Sequence, residues 1–269
     1  MKLFLIALKS PEHSVIPQCA IDALTCALAF SGCEVIALTD MPTPGWVDAV
    51  PYMDEINAYR QELVRGLTIP LHRYFSMTAR YFVMKSYIEK HRTTGPIFNC
   101  DWDILVFSDL PKHFESVDGL SADLCSAFVR SSNKFQAPMV INNLKAIEFY
   151  VDLMQTYLKT HPPDTICLCD ISQWYMVRQF GKFTESGSCS KIGMTTYFDP
   201  NMAVDDDVFE FDDRGKLLTF NNGLPHFTKK TTKELVRAVA IHCFIGWREH
   251  TKEIMAKLTL PAMLEKATA

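Results

Sequence analysis

The apolar positions of this chain fall into two kinds of run. Leu3-Phe4-Leu5-Ile6-Ala7-Leu8 and Ile104-Leu105-Val106-Phe107 are uninterrupted, the pattern of strands buried on both faces of a sheet. Elsewhere the spacing is helical. Beyond a loop from Lys9 to Pro17, Ile21, Leu24, Thr25 and Leu28 recur at the helical period, and Gly32 stands past the end. Glu34 to Asp40 reads as a second strand, closed by Met41-Pro42-Thr43-Pro44-Gly45. Strand, helix and strand at this spacing predict a right-handed crossover and parallel pairing. Trp46 to Thr68 reads as a loop and a helix, Tyr52 to Val64, over one sheet edge. From His72 to Lys90 a longer helix carries Phe75, Ala79, Phe82, Val83 and Tyr87 as a core stripe. Its second face holds Arg73, Met77, Arg80, Met84 and Ile88; an arginine on so apolar a face either snorkels or reaches a buried anion.

The second half alternates the same two patterns. Ser108 to Lys112 reads as a loop, followed by weakly patterned sequence to Phe128. Ala137 to Asn143 predicts a short strand leading into an amphipathic helix, Leu144 to Leu158. Thr165 to Cys169 is strand-like, and Trp174 to Phe180 helical. Gly181 to Cys189 is polar and reads as a loop. Asp205-Asp206-Asp207 precedes a strand, Val208 to Phe211, and a hairpin through Asp212-Asp213-Arg214-Gly215, so the three carboxylates read as solvated charge beside turns. Asn221-Asn222-Gly223 marks another turn. Val236 to Gly246 reads as a strand and Trp247 to Lys252 as the start of a helix.

Composition narrows the class. With 269 residues and 48% hydrophobic content the chain can bury a full core in one domain. A net charge of −4 gives no basic footprint for nucleic acid. Nine cysteines, an odd number scattered through apolar segments without zinc spacing, read as small core residues of a reducing compartment. Leu3 to Leu8 is too short for a signal-peptide core or a membrane span. A soluble, cytoplasmic protein with no transmembrane segment is the expectation.

The chemistry centres on Asn99-Cys100-Asp101-Trp102-Asp103, which places two carboxylates one residue apart at the start of the Ile104 strand. Side chains at alternate positions aim to one side, so the two charges repel unless water or a cation answers them. Mg²⁺ or Mn²⁺, which prefers oxygen ligands, is such a cation. The bland alternative is a solvated aspartate turn. Asp170-Ile171-Ser172-Gln173 before an apolar helix matches a capping box, in which the carboxylate accepts the first free N–H groups. His242 lies in an apolar strand, where a histidine is either a satisfied core residue or a ligand.

A helix, a Gly95-Pro96 break and then an Asp-x-Asp strand resemble the GT-A family of nucleotide-sugar glycosyltransferases. The resemblance implies an α/β fold, a mostly parallel central sheet flanked by helices, with a small C-terminal β-hairpin region. It implies one catalytic domain, residues 1–110 binding the nucleotide and 111–269 binding the acceptor and carrying a C-terminal metal and diphosphate segment. The activity implied is transfer of a sugar from a UDP- or GDP-sugar to a glycan or other hydroxyl. Asp101 and Asp103 match the family's metal motif, with Mn²⁺ or Mg²⁺ as cofactor. The family's C-terminal His-x-x-Gly-x-x-Lys pattern points to His242 as a third ligand, although His242 and Gly246 stand one residue further apart than the pattern requires. Donor-binding positions implied are Ala7, Asp40, Arg80, Lys85, Asp101, Trp102, Asn142, Arg248 and Lys252. Asp170, where the family places an acidic residue facing the acceptor, is the candidate base for an inverting transfer. Two rivals share the pattern: a nucleotidyltransferase making nucleotide sugars, against which Lys9-Ser10-Pro11-Glu12-His13 lacks a Gly-rich phosphate loop, and a non-catalytic sugar-binding protein.

Overall fold

The computed structural model describes residues 1–8, 15–43, 49–50, 72–129, 134–160, 170–186, 196–199, 202–203, 205, 207–243 and 245–260. The expected helix at 52–64 and strand at 165–169 lie outside them. The first half contains β1 (Lys2–Ala7), α1 (Gln18–Phe30), β2 (Glu34–Thr39), β3 (Ala49–Val50), α2 (His72–Lys90), β4 (Ile97–Cys100), β5 (Ile104–Val106) and α3 (Leu110–Ser116). The second contains β6 (Leu124–Val129), β7 (Lys134–Ile141), α4 (Lys145–Thr160), α5 (Asp170–Gly181), β8 (Glu185–Ser186) and β9 (Thr196–Asp199). The chain continues through β10 (Phe211–Asp212), β11 (Gly215–Lys216), β12 (Leu218–Asn221), β13 (Leu224–Thr228) and β14 (Leu235–His242), then a 3₁₀ segment, Ile245–His250, and α6 (Thr251–Met255).

The fold is α/β. A seven-stranded sheet runs in the order β3-β2-β1-β4-β7-β6-β8. It is mixed: β3, β2, β1 and β4 are parallel, whereas β7 is antiparallel to both β4 and β6. A second sheet, β12-β13-β14-β5, takes β9 in parallel beside β14, and β10 and β11 form a separate small hairpin. The turn between β12 and β13 has positive φ at both Asn222 (51°) and Gly223 (71°), the backbone that a two-residue hairpin turn demands.

Both faces of the large sheet are covered, which explains the unbroken apolar run of β1. Leu3 and Leu5 point to one core, with Ala23 and Leu24 of α1, Phe98, and Val106 and Val239 of the second sheet. Phe4 and Ile6 point to the other, with Phe82 and Val83 of α2, Tyr150 of α4 and Trp174 of α5. Strand periodicity divides one short segment between two cores. Ala79, Phe82, Val83 and Tyr87 of the α2 stripe are all buried. In α1 the expected core face fails at Leu28, which is 45% exposed, while the smaller Ala20, Ala23, Cys26 and Ala27 face inward.

Four further readings need correction. Ser108 to Lys112 is not simply a loop: Asp109 accepts from the Lys112 backbone N–H at 3.0 Å and caps α3, with Pro111 in its first turn, where a missing N–H costs nothing. The weakly patterned stretch after it contains β6, and the polar stretch after 181 contains β8, which pairs with β6 in parallel. Finally, Ile104 to Val106 does not extend the large sheet. The segment before the two aspartates is itself a strand, β4, in the large sheet, while β5 after them joins the second sheet against β14. The Asp-x-Asp is therefore the seam between the sheets.

Candidate functional site

Strand register assembles the site. Leu5 of β1 is level with Cys100 of β4, and Ala7 with Thr39 of β2, so Ala7, Asp40 and Asp101 follow one another along the carboxyl edge of three parallel strands. That edge is where open α/β sheets offer a crevice to ligands. Across the seam His242 of β14 is opposite Ile104 of β5. The Cys243 N–H donates to the Asp103 carbonyl at 2.8 Å, fixing the two segments side by side. His242 Nε2 consequently lies 3.3 Å from Asp103 Oδ1.

Asp101, Asp103 and His242 each offer an atom within 4.8 Å of the others, a group that could hold a metal ion. Two carboxylate oxygens and an imidazole nitrogen suit a divalent ion such as Mn²⁺ or Mg²⁺ completed by further oxygen ligands. Asp103 and His242 are each 4% exposed. Burial pushes the Asp103 carboxyl up, but the charges and hydrogen bonds of His242 and Arg248 outweigh it and hold it below the ordinary carboxylate value.

The two carboxylates are not bare. Arg80, 6% exposed on α2, pairs through Nη1 with Asp101 Oδ1. Arg248, on the 3₁₀ segment, donates from Nε (3.0 Å) and Nη2 (2.8 Å) to Asp103 Oδ2. Its guanidinium also lies 4.1 Å from the centre of the Trp102 ring. Charge repulsion between the aspartates, the premise of the sequence argument, is thus answered by two arginines of the chain itself.

Polar links that hold these groups went unread in the sequence. Asn99, fully buried two residues before Asp101, donates from Nδ2 to Tyr81 Oη at 3.0 Å; Tyr81 adjoins Arg80, so α2 is fastened to β4 twice. Thr251 Oγ1 donates to Asp22 Oδ2 of α1 at 2.7 Å and lies 3.1 Å from the Arg248 carbonyl, anchoring the segment that presents Arg248. Cys19, one turn before Asp22, has its thiol pushed up to about 11, chiefly by burial. A buried polar residue on an otherwise apolar helix face is the signal that points to Asp22.

The remaining predicted positions are dispersed. Lys85 pairs with Glu89 one turn on, at 3.2 Å, as a partly solvated helix pair. Asn142, expected at the donor, lies instead past the amino end of β4, at the sheet edge opposite Asp101, and donates to the carbonyls of Gly119 (3.2 Å) and Ala122 (2.6 Å), bracing the turn before β6. Lys252 is exposed on α6. Asp170 is the first residue of α5, and its side chain lies outside the described part. Gln173, the other end of the expected capping box, turns inward: its Nε2 donates to Thr78 Oγ1 at 2.9 Å, and its Oε1 accepts from Tyr150 Oη. Asp205 pairs with Lys230 at 2.8 Å, and the Asp207 side chain is 98% exposed, in keeping with solvated charge there.

The sequence matches no protein-family model and no curated protein. Three of the solved structures to which the chain is similar are glycosyltransferases. The PaToxG glycosyltransferase is 8% identical over 67% of this chain and 69% of its own, with a TM-score of 0.42. The galactosyltransferase LgtC, solved with donor and acceptor sugar analogues, is 14% identical over 99% of this chain and 100% of its own, with a TM-score of 0.46. The glycosyltransferase GlyE of Streptococcus pneumoniae TIGR4 is 15% identical over 69% of this chain, which spans 44% of GlyE, with a TM-score of 0.38. Among the described residues no helix is long and apolar enough to cross a membrane.

Proposed function

We propose that this chain is a metal-dependent glycosyltransferase that moves a sugar from a UDP- or GDP-sugar to a hydroxyl of a glycan or similar acceptor. One observation carries the proposal: Asp101 and Asp103 converge with His242, far away in sequence, and with two arginines at the carboxyl edge of the parallel strands. Residues 1–110 supply the nucleotide-binding half, with Ala7 and Asp40 beside the base and ribose. Residues 111–269 supply the acceptor-binding half and the cations of the C-terminal segment.

In the reaction the acceptor oxygen attacks the anomeric carbon, the bond from that carbon to the diphosphate oxygen breaks, and the nucleoside diphosphate leaves with the bonding electrons. Asp101, Asp103 and His242 would hold Mn²⁺ or Mg²⁺, which would supply positive charge toward the departing diphosphate. Arg80 and Arg248 offer planar donors suited to phosphate oxygens. Trp102 supports Arg248 by stacking. Lys252 and Lys85 supply outlying positive charge, and Asp170 takes the acceptor proton.

The test is hydrolysis of UDP- and GDP-sugars with Mn²⁺ present, a turnover that needs no acceptor. Asp103→Asn should lower it by about 10²-fold or more, the scale of losing a principal charge-stabilising group. Full turnover in that variant, or no turnover by the wild type with any donor, would remove the proposal.

A further inference from the structure

We propose that Arg248 is a built-in counter-cation that competes with the metal for Asp103, so that the metal enters tightly only once a diphosphate has drawn the arginine away. This rests on the metal-dependent reading above and concerns what governs loading of that site.

The geometry supplies the competition. Asp103 is buried, its Oδ2 accepts two hydrogen bonds from Arg248 at 3.0 and 2.8 Å, and its Oδ1 faces His242 at 3.3 Å. A dication on Oδ2 needs lone pairs that the guanidinium is using, and a second positive charge so close repels it across a poorly screened interior. Asp101 is engaged by Arg80 through Nη1. The formal charges of the two aspartates and two arginines cancel, so the closed site has little net field with which to draw a metal.

Arg248 is also placed to move. Arg80 sits on a long helix and is 6% exposed, whereas the Arg248 side chain is 28% exposed and lies on a short 3₁₀ segment. The Thr251–Asp22 hydrogen bond holds that segment's backbone, leaving the guanidinium to swing across the Trp102 face. A diphosphate offers the two-nitrogen fork another pair of anionic oxygens. Once Arg248 turns to them, Asp103 Oδ2 is released to the metal. By linkage the coupling is mutual: diphosphate raises metal affinity, and metal raises diphosphate affinity by the same factor.

Isothermal titration of Mn²⁺ into the full chain tests this, with and without saturating UDP or GDP. The wild type should bind Mn²⁺ at least about tenfold more tightly with diphosphate present. Arg248→Gln should bind Mn²⁺ about tenfold more tightly than wild type without diphosphate, and the enhancement by diphosphate should shrink to about twofold. Arg248→Lys keeps the charge but not the fork, so it should fall between the two, and it serves as the readout should the glutamine variant not fold. Arg248→Gln or Arg248→Lys binding Mn²⁺ no more tightly than wild type would overturn the counter-cation role. Asp103→Asn and His242→Ala separate the two levels: if both leave Mn²⁺ binding unchanged the metal centre itself is wrong, whereas if they abolish it and the Arg248 variants still show no gain, only the competition is wrong.

Discussion

A carboxylate as far from water as Asp103 is stable only where positive charge and hydrogen bonds replace the lost solvent, and Arg248 and His242 supply both. Asp123 is held low by a gentler route. The Thr184 backbone N–H, then the Asn143 and Thr184 side chains, donate to its oxygens and keep its carboxyl below the ordinary 3.8. A depressed folded value adds stability that is fully present above the unfolded value and disappears as pH falls through the folded one. Asp123→Asn should therefore lower stability near neutrality, by about 1 kcal/mol at most because the site is largely solvated, and the difference from wild type should close between about pH 5 and about pH 2. Urea melts across that range check the sign. Gly32 offers a sharper test: its φ is +66°, and a Cβ there would meet the Asp109 carboxyl carbon at 2.9 Å. Gly32→Ala should cost about 2 kcal/mol, combining left-handed backbone strain with disturbance of the α3 cap.

At the scale of elements, what could be read in the sequence was whatever local pattern determined. β1, α1, β2 and α2 emerge from apolar runs, a helical period and a closing glycine, because burial on both sheet faces leaves no polar interruption. α3 was hidden by Pro111, which reads as a breaker but stands in a first turn capped by Asp109. β4 and β6 were obscured by Asn99 and Ser126, each fully buried, since a polar residue on a core face breaks the pattern. The candidate site divides in the same way. The aspartate pair was visible as a motif and Arg80 and Arg248 as site cations, but their pairing with the aspartates was not, because the partners lie 21 and 145 residues away and only the sheet topology brings them in. Buried polar links of this kind also fasten the helices. Gln173 joins α5 to Thr78 of α2 and Tyr150 of α4, all three residues buried. Gln173→Leu, near in size but unable to hydrogen-bond, would remove the hydrogen bonds to both buried hydroxyls and should cost about 2–4 kcal/mol in a denaturant titration. A cost near zero would show that the cross-link is not structural.

For the molecule as a whole, the decisive feature is that Asp101, Trp102 and Asp103 are all that separates a strand of one sheet from a strand of the other. A ligand gripping Asp101 touches the end of the large sheet, and one gripping Asp103 and His242 touches the second. Binding at the seam therefore ties both cores together and should be felt by the global unfolding transition, not only by a surface loop. Held at about 100 times its dissociation constant, a ligand of the native state adds about 2.7 kcal/mol, which for a chain of this size raises Tm by roughly 5–10 °C. Mn²⁺ alone should shift Tm little, since Arg248 already occupies Asp103, and UDP or GDP alone only modestly. Together they should shift it by more than the sum of the separate shifts, and Asp103→Asn should lose the Mn²⁺-dependent part while retaining the response to diphosphate alone. Additive shifts in the wild type would mean that metal and diphosphate occupy places that do not communicate, and the seam would then be a structural joint.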